Sequence, residues 1–375
     1  MTDLPVTPAL EEIPDGEPDR IEATVDLTLR RLLARYDGRA IRRGVHPKDH
    51  GCVTATFTVA DPLPETLRVG VFTTPGQVFD AFIRFSNADV DPEKADSAVE
   101  DDGVAHGSRG MAVKVLGVTG EPLVTSNLTT KYGPLNQDFL MVNQPVFAFA
   151  NVEDYEALSQ ILLDHADDPS GFFARLGDPD PAISGRARVT GAIVKRIAAA
   201  AFQPAPASPL DNSYFGAAPF LFGEGRAMRF RARPVAPDAD AAADFADPGY
   251  LRAGLRRRLS AAAGQDIVFE FQVQVRDAAS LSTALPDLIE NACNDWPDIP
   301  FETVARIAIP PQDADPDTPE RRALCENLIF SPWNGLAAHR PLGGINRLRR
   351  LVYEISARIR KPSGTCPFSA PTPTG

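Results

Sequence analysis

Sulfur, imidazole and indole are scarce in this chain: its 375 residues include 4 Cys, 4 Met, 5 His and 2 Trp. The cysteines, Cys52, Cys293, Cys325 and Cys366, are scattered, with no CxxC pair and no zinc-like spacing. That pattern argues against a zinc site or a disulfide framework and is expected of inert thiols in a reducing cytoplasm. Long hydrophobic runs are also missing. No stretch approaches the roughly 18 apolar residues that a membrane-crossing helix needs. The first residues, MTDLPVTPALEEIPDGEPD, are acidic and lack the basic and apolar regions of a signal peptide. Positive charge is in deficit, 38 Lys+Arg against 50 Asp+Glu for a net charge of −12. This balance argues against a nucleic-acid binder, because phosphate attracts Lys and Arg, but it leaves room for a local basic pocket for an anionic ligand. There is no Walker A loop, no GxGxxG after a strand, no GxSxG elbow and no HExxH helix.

The composition is that of an ordinary globular protein: 43% hydrophobic, 23% charged, with 27 Gly. Proline is abundant at 35 residues, roughly twice its usual share of about 5%. The length admits two domains or one large β-rich domain. Residues 1–18 and 362–375 are expected to be disordered tails. No segment within 19–361 has the composition of a domain boundary, which predicts a single α+β domain of antiparallel sheet and helices.

Periodicity places the elements. Ile21, Val25, Leu29, Leu32, Leu33 and Tyr36 share one helical face. Period-2 alternation marks strands at Cys52–Val59, Phe79–Phe85, Met111–Leu116, Ala227–Arg233, Ile267–Arg276 and Phe301–Ile309. Asn151, with Asp154 three residues on, caps a helix, and another helix is expected over Ala187–Ala201. Thr318-Pro319 is a cap followed by Pro at the first helical position, opening a helix to about Phe330. The last helix runs from Ile345 to Arg360. His46 and His50 are four apart, a spacing that grips a metal on a helix, but Pro47 disfavours helical dihedrals at His46.

Several short segments carry the chemistry. They are Arg43-Gly44-Val45-His46-Pro47-Lys48, Arg84-Phe85-Ser86-Asn87, Ser108-Arg109-Gly110-Met111-Ala112-Val113-Lys114-Val115, Val142-Asn143-Gln144-Pro145-Val146-Phe147, Phe330-Ser331-Pro332 and Arg349-Arg350-Leu351-Val352-Tyr353. On one helix, Arg349 and Tyr353 share a face. In this order the set resembles the haem catalase family, with its RxxHxK, RFS, RGxAVK, NxPxF, FSP and RxxxY patterns, over about residues 25–360. The final helix, LVYEISARIR, is most similar to the small catalase-related peroxidases, which keep the barrel core and lack the wrapping segment and the flavodoxin-like domain.

The resemblance implies an antiparallel eight-stranded β-barrel with surrounding and C-terminal helices, and haem b with its iron as cofactor. It implies Tyr353 as the iron ligand, supported by Arg349, because catalases ligate iron through a phenolate. It implies His46 as the acid–base group that breaks the O–O bond of hydrogen peroxide or organic peroxides, with Ser86 as its support. Arg43 and Arg84 would face the haem propionates, and Phe147 and Tyr155 its face or channel. The resemblance also implies an unknown electron donor as partner, and small members often self-associate as homo-oligomers. The family's catalytic Asn stands three residues before the Pro. Here Val142 occupies that place and Asn143 lies one position later. Either a bulge turns Asn143 inward or the amide is absent, since one residue flips a strand side chain to the other face. Rival readings are a fatty-acid hydroperoxide isomerase or lyase of the allene oxide synthase type, and a catalase-fold protein that binds haem or lipid without turnover. A contrary assignment makes His339 the iron ligand.

Overall fold

The computed structural model describes residues 10–89, 91–100, 103–123, 135–166, 206–238, 241–261, 264–281, 286–312 and 318–360. The main elements are α1 (Glu17–Arg35), β1 (Asp49–Val59), β2 (Val78–Asn87), β3 (Ser97–Glu100), β4 (Gly103–His106), β5 (Arg109–Val115), β6 (Gln137–Val142), α2 (Val152–Asp164), β7 (Tyr214–Phe215), β8 (Phe220–Leu221), β9 (Arg226–Pro234), α3 (Tyr250–Ala261), β10 (Ile267–Asp277), β11 (Glu302–Ile309), α4 (Pro319–Asn327) and α5 (Gly344–Arg360). The strand order is β10-β11-β1-β2-β5-β6-β7-β9, and β9 pairs back onto β10. The eight strands therefore close into an antiparallel barrel, with β8 appended to β9 and β3–β4 as a separate hairpin.

Alternation builds the barrel interior. Val53, Ala55, Phe57 and Val59 of β1 are buried, while Thr54, Thr56 and Thr58 between them are half-buried. Phe269, Phe271 and Val273 of β10 and Phe230 of β9 point the same way. The interior is an aromatic core, with the Phe139 and Phe271 centroids 4.6 Å apart in an offset, tilted pair. The capping expectations hold: Asn151 accepts from the Asp154 N–H at 3.0 Å, and Thr318 Oγ1 accepts from the Arg321 N–H at 3.3 Å. α4 ends at Asn327, short of Phe330, and Leu328 leaves it with extended dihedrals.

Two expectations are corrected. Within the expected tail 1–18, Leu10 is buried, and Glu11 and Glu17 clamp Arg347 at the start of α5. Glu290 completes this cluster at 2.7 Å, and Arg340 also meets Glu11, at 2.6 Å. Five charges of one cluster, four of them buried, therefore fix α5 to residues far from it in sequence. Secondly, Cys52 and Cys325 are not separate thiols. They form a disulfide between β1 and α4, with a Cα–Cα separation of 5.5 Å. The step from inert thiols to a reducing compartment loses half of its residues. Cys293 is a half-buried thiol in contact with the Phe147 carbonyl. Residues 362–375, Cys366 and the helix expected over Ala187–Ala201 lie outside the described residues. No helix among the described residues is long and apolar enough to cross a membrane.

Candidate functional site

A cleft lies between the barrel and the helices α1 and α5. Val25, Leu29 and Leu32 of α1, Val142 of β6, Ile329, and Leu348 and Val352 of α5 give it apolar walls. Arg43, His46, Arg84, Ser86, Phe147, Tyr155, Arg349 and Tyr353 all line it. Gly110 and Phe330 line it too, so residues from all six motif segments meet at one cavity.

His46 sits on the strap that leads from α1 to β1, with a left-handed φ of 59°. This conformation is uncommon for a residue with a Cβ, and hydrogen bonds hold it on both sides. The His46 N–H donates to the Asp89 carbonyl at 3.0 Å, and Arg84 Nη2 donates to the His46 carbonyl at 2.8 Å. The ring Nδ1 lies 3.0 Å from Ser86 Oγ. Gly110 on β5 makes room for that pair: a Cβ there would come within 2.6 Å of the imidazole and 2.9 Å of Ser86 Oγ. Burial, reinforced by the positive charges of Arg84, Arg349 and Arg43, drops the His46 pKa to about 3. The ring is neutral at ordinary pH, with Nδ1 taken by Ser86.

Cationic groups gather at one side. Arg43 Nη2 donates to the carbonyls of Cys325 and Leu328, each at 2.7 Å, and Nη1 approaches Glu326 at 3.4 Å. Arg84 has Asp49 at 3.9 Å, while its buried Nε has no partner. Desolvation lowers the pKa of both, and Arg84 further lowers that of Arg43. Arg360 completes the rim, donating to the Glu326 carbonyl at 2.9 Å. Sequence reasoning did not single out Arg360. The signal was there, since it lies seven residues after Tyr353 and so two turns along the same helix face.

On α5, Arg349 hydrogen-bonds Asn346 Oδ1 at 2.9 Å, and its guanidinium lies 5.4 Å from the Tyr353 ring centroid and 5.7 Å from that of Phe147. It stacks on the Tyr353 ring and makes no hydrogen bond to the phenol oxygen. Tyr155 packs on Phe149 at 4.8 Å, and burial raises its pKa.

Asn143 is not brought to the cavity. Its Oδ1 accepts from the Arg109 N–H at 2.8 Å and from Ser108 Oγ at 3.1 Å. Val142 instead lines the cleft, paired to Gly110 on one side and Phe215 on the other. No bulge intervenes, so the register puts the amide outside and the isopropyl group inside. His339 is equally remote from the cleft. It is locked in the barrel core between Phe72 and Phe222, and Nε2 accepts from the Val71 N–H at 3.1 Å. His50 lies in β1 and pairs with Asn87 Oδ1 at 3.0 Å, not with His46. Among the described residues no group of three or more His, Cys, Asp or Glu is placed to hold a metal ion.

These residues fit a flat apolar group that bears anions. The walls are aliphatic and aromatic, the cations are collected at one rim, one buried guanidinium N–H lacks a partner, and a phenol faces the cleft. A group that brings its own metal donors would need only one such oxygen from the protein.

No family model matches the chain, and no curated protein sequence matches it. Solved structures do. A fungal catalase aligns with a TM-score of 0.60 at 16% identity, over 87% of this chain and 60% of its own. A bacterial catalase aligns with a TM-score of 0.55 at 14% identity, over 87% and 58%. Catalase A from Saccharomyces cerevisiae aligns with a TM-score of 0.60 at 15% identity, over 96% and 68%. The chain thus spans about 60% of the length of the first of these. At such identities the likeness concerns architecture, and the architecture is that of the catalases: a closed eight-stranded antiparallel barrel with packed helices.

Proposed function

We propose that this chain is a haem-dependent oxidoreductase of the catalase kind, working as a peroxidase on hydrogen peroxide or organic peroxides. The observation that carries the reading is a neutral His46, fixed by Ser86, facing the same cleft as Arg349 and Tyr353. Bound haem would supply a redox-active iron that promotes cleavage of the peroxide O–O bond. Tyr353 would hold that iron through its phenolate oxygen. Arg349 would brace the Tyr353 ring, on which its guanidinium stacks at 5.4 Å. Arg43, Arg84 and Arg360 would bind the propionates, and the unpartnered Arg84 Nε is one donor for them. Phe147 and Tyr155 wall the cleft.

His46 Nε2 takes the proton from the attacking peroxide oxygen and returns it to the departing one. Its pKa of about 3 is held down in part by Arg84, Arg349 and Arg43. Anionic groups against those arginines offset their charge and raise the pKa toward the range where proton uptake is efficient. Val142 removes the amide donor that a peroxide would otherwise meet beside His46. Dismutation of hydrogen peroxide should therefore be weak, and peroxides with an apolar substituent should be favoured.

A second reading has a specific observation behind it. The aliphatic wall of Val25, Leu29, Leu32 and Val142, ending at Arg43, suits a long acyl chain with a carboxylate. That would make the chain a fatty-acid hydroperoxide isomerase or lyase. Haem titration followed by visible spectroscopy tests the shared premise. A Soret band is expected in the wild type and altered in Tyr353→Phe. Peroxide turnover should fall by roughly 100-fold or more in His46→Ala, given the usual weight of general acid–base catalysis. Product analysis with hydrogen peroxide, an alkyl hydroperoxide and a fatty-acid hydroperoxide separates the two reactions. No Soret band on reconstitution would refute both.

A further inference from the structure

His46 is held in a left-handed backbone conformation, and the residue that secures its surroundings is a buried carboxylate outside the cleft. Asp96 is 1% exposed. Its Oδ1 accepts from Lys48 Nζ at 2.8 Å and from Asn87 Nδ2 at 2.9 Å. Lys48 lies two residues after His46, and Asn87 directly follows Ser86. The Asn87 N–H also donates to the Lys48 carbonyl at 3.0 Å, so the two segments run side by side. Asp96 Oδ2 accepts from the Leu251 N–H of α3 at 3.0 Å and lies 3.9 Å from His50 Nδ1. Its main-chain carbonyl accepts from the Arg109 guanidinium, next to Gly110. One residue thus joins the strap that carries His46, the strand end that carries Ser86 and the strand start that carries Gly110.

We propose that Asp96 is the positioning residue for His46, fixing the His46–Ser86 pair by bolting Lys48 to Asn87. This inference rests on the peroxidase reading for its effect on turnover, but not for its effect on the ring. Without the Asp96 carboxylate, Lys48 Nζ keeps only the Lys94 and Pro248 carbonyls, at 2.8 and 2.6 Å, and Asn87 Nδ2 loses its acceptor. The strap then slides against β2, and the left-handed His46 relaxes away from Ser86. A buried Lys–Asp pair elsewhere, Lys114–Asp138 at 2.6 Å, offers a matched control, because it touches neither the strap nor Ser86.

The test uses the full chain labelled with 15N at histidine, with and without haem. The wild type is expected to show a single tautomer for His46. Asp96→Leu, which removes the acceptor, should average the two ring nitrogens of His46 and lower kcat about tenfold, with KM and haem affinity within twofold. Asp138→Leu should lower thermal stability but leave the His46 signals in place. Lys48→Met, which removes the other end of the bolt at a partly exposed site, should reproduce the Asp96→Leu ring signal and serves if Asp96→Leu does not fold. Unchanged His46 nitrogens in Asp96→Leu or Lys48→Met overturn the proposal. Equal perturbation by Asp138→Leu overturns it too, since general loosening would then suffice. If the ring responds as expected while His46→Ala leaves turnover intact, positioning stands and the peroxidase reading falls.

Discussion

Acid should unfold this protein well before its carboxylates are neutralised. Three histidines are buried and neutral: His46 with a pKa of about 3, and His50 and His339 with pKa values of about 4. Desolvation is the largest cause in each. In the unfolded chain all three return to about 6.5. Between those values the unfolded state binds more protons, so stability is complete above about pH 6.5 and is lost as pH falls toward 4. From about pH 7.5 to about pH 5.5, linkage gives roughly 1.3 kcal/mol per histidine, or about 4 kcal/mol in all. That is a large share of a typical folding free energy of about 5–15 kcal/mol. Burial raises the pKa of Asp138, Asp211 and Glu290, which works in the opposite direction and offsets part of this loss. Urea denaturation of the haem-free protein across this window should therefore show falling midpoints. In His339→Gln, which keeps an acceptor for the Val71 N–H, the loss over the window should shrink by about one third. A stability that is flat from pH 7.5 to 5.5, or an undiminished slope in His339→Gln, would refute the account.

Other perturbations are equally specific. Gly110→Ala should cost about 1–3 kcal/mol from overpacking and push His46 off Ser86; peroxide turnover should collapse while the Soret band persists. Deleting residues 1–18 removes Glu11 and Glu17 from buried Arg347, and urea denaturation should register a loss of about 3 kcal/mol. Reduction of the disulfide, or Cys52→Ser, should lower stability by about 2–5 kcal/mol, and thiol counting in denaturant should find the pair in the untreated protein.

The barrel was legible because its longer strands carry an uninterrupted period of two. β1 and β10 show it most clearly, with Phe57 and Phe271 meeting inside. The two side-chain caps, Asn151 and Thr318, were legible because capping is local chemistry. The shortest strands, β7 and β8, were not, since two residues have no period. The packing of Leu10–Pro18 was missed because its cause, Arg347, lies more than 300 residues away. The Cys52–Cys325 bond spans 273 residues and leaves no spacing signature. At the site, motif spacing named the residues but not their hydrogen bonds. The turn of Asn143 toward Arg109 follows from strand register, which sequence could pose as an alternative without deciding it.

The Cys52–Cys325 bond also divides the chain topologically. It makes residues 52–325 a covalent ring that holds nearly the whole barrel. Two arms hang outside it, residues 1–51 with α1 and His46, and residues 326–375 with α5 and Tyr353. The cleft is where the two arms meet across the barrel. Force applied outside the ring extends the oxidised molecule by its arms alone, and the 273-residue separation of the two cysteines adds length only once the bond is reduced. Tension therefore separates His46 from Tyr353 while leaving the ring shut, so the site is the mechanical seam of the molecule.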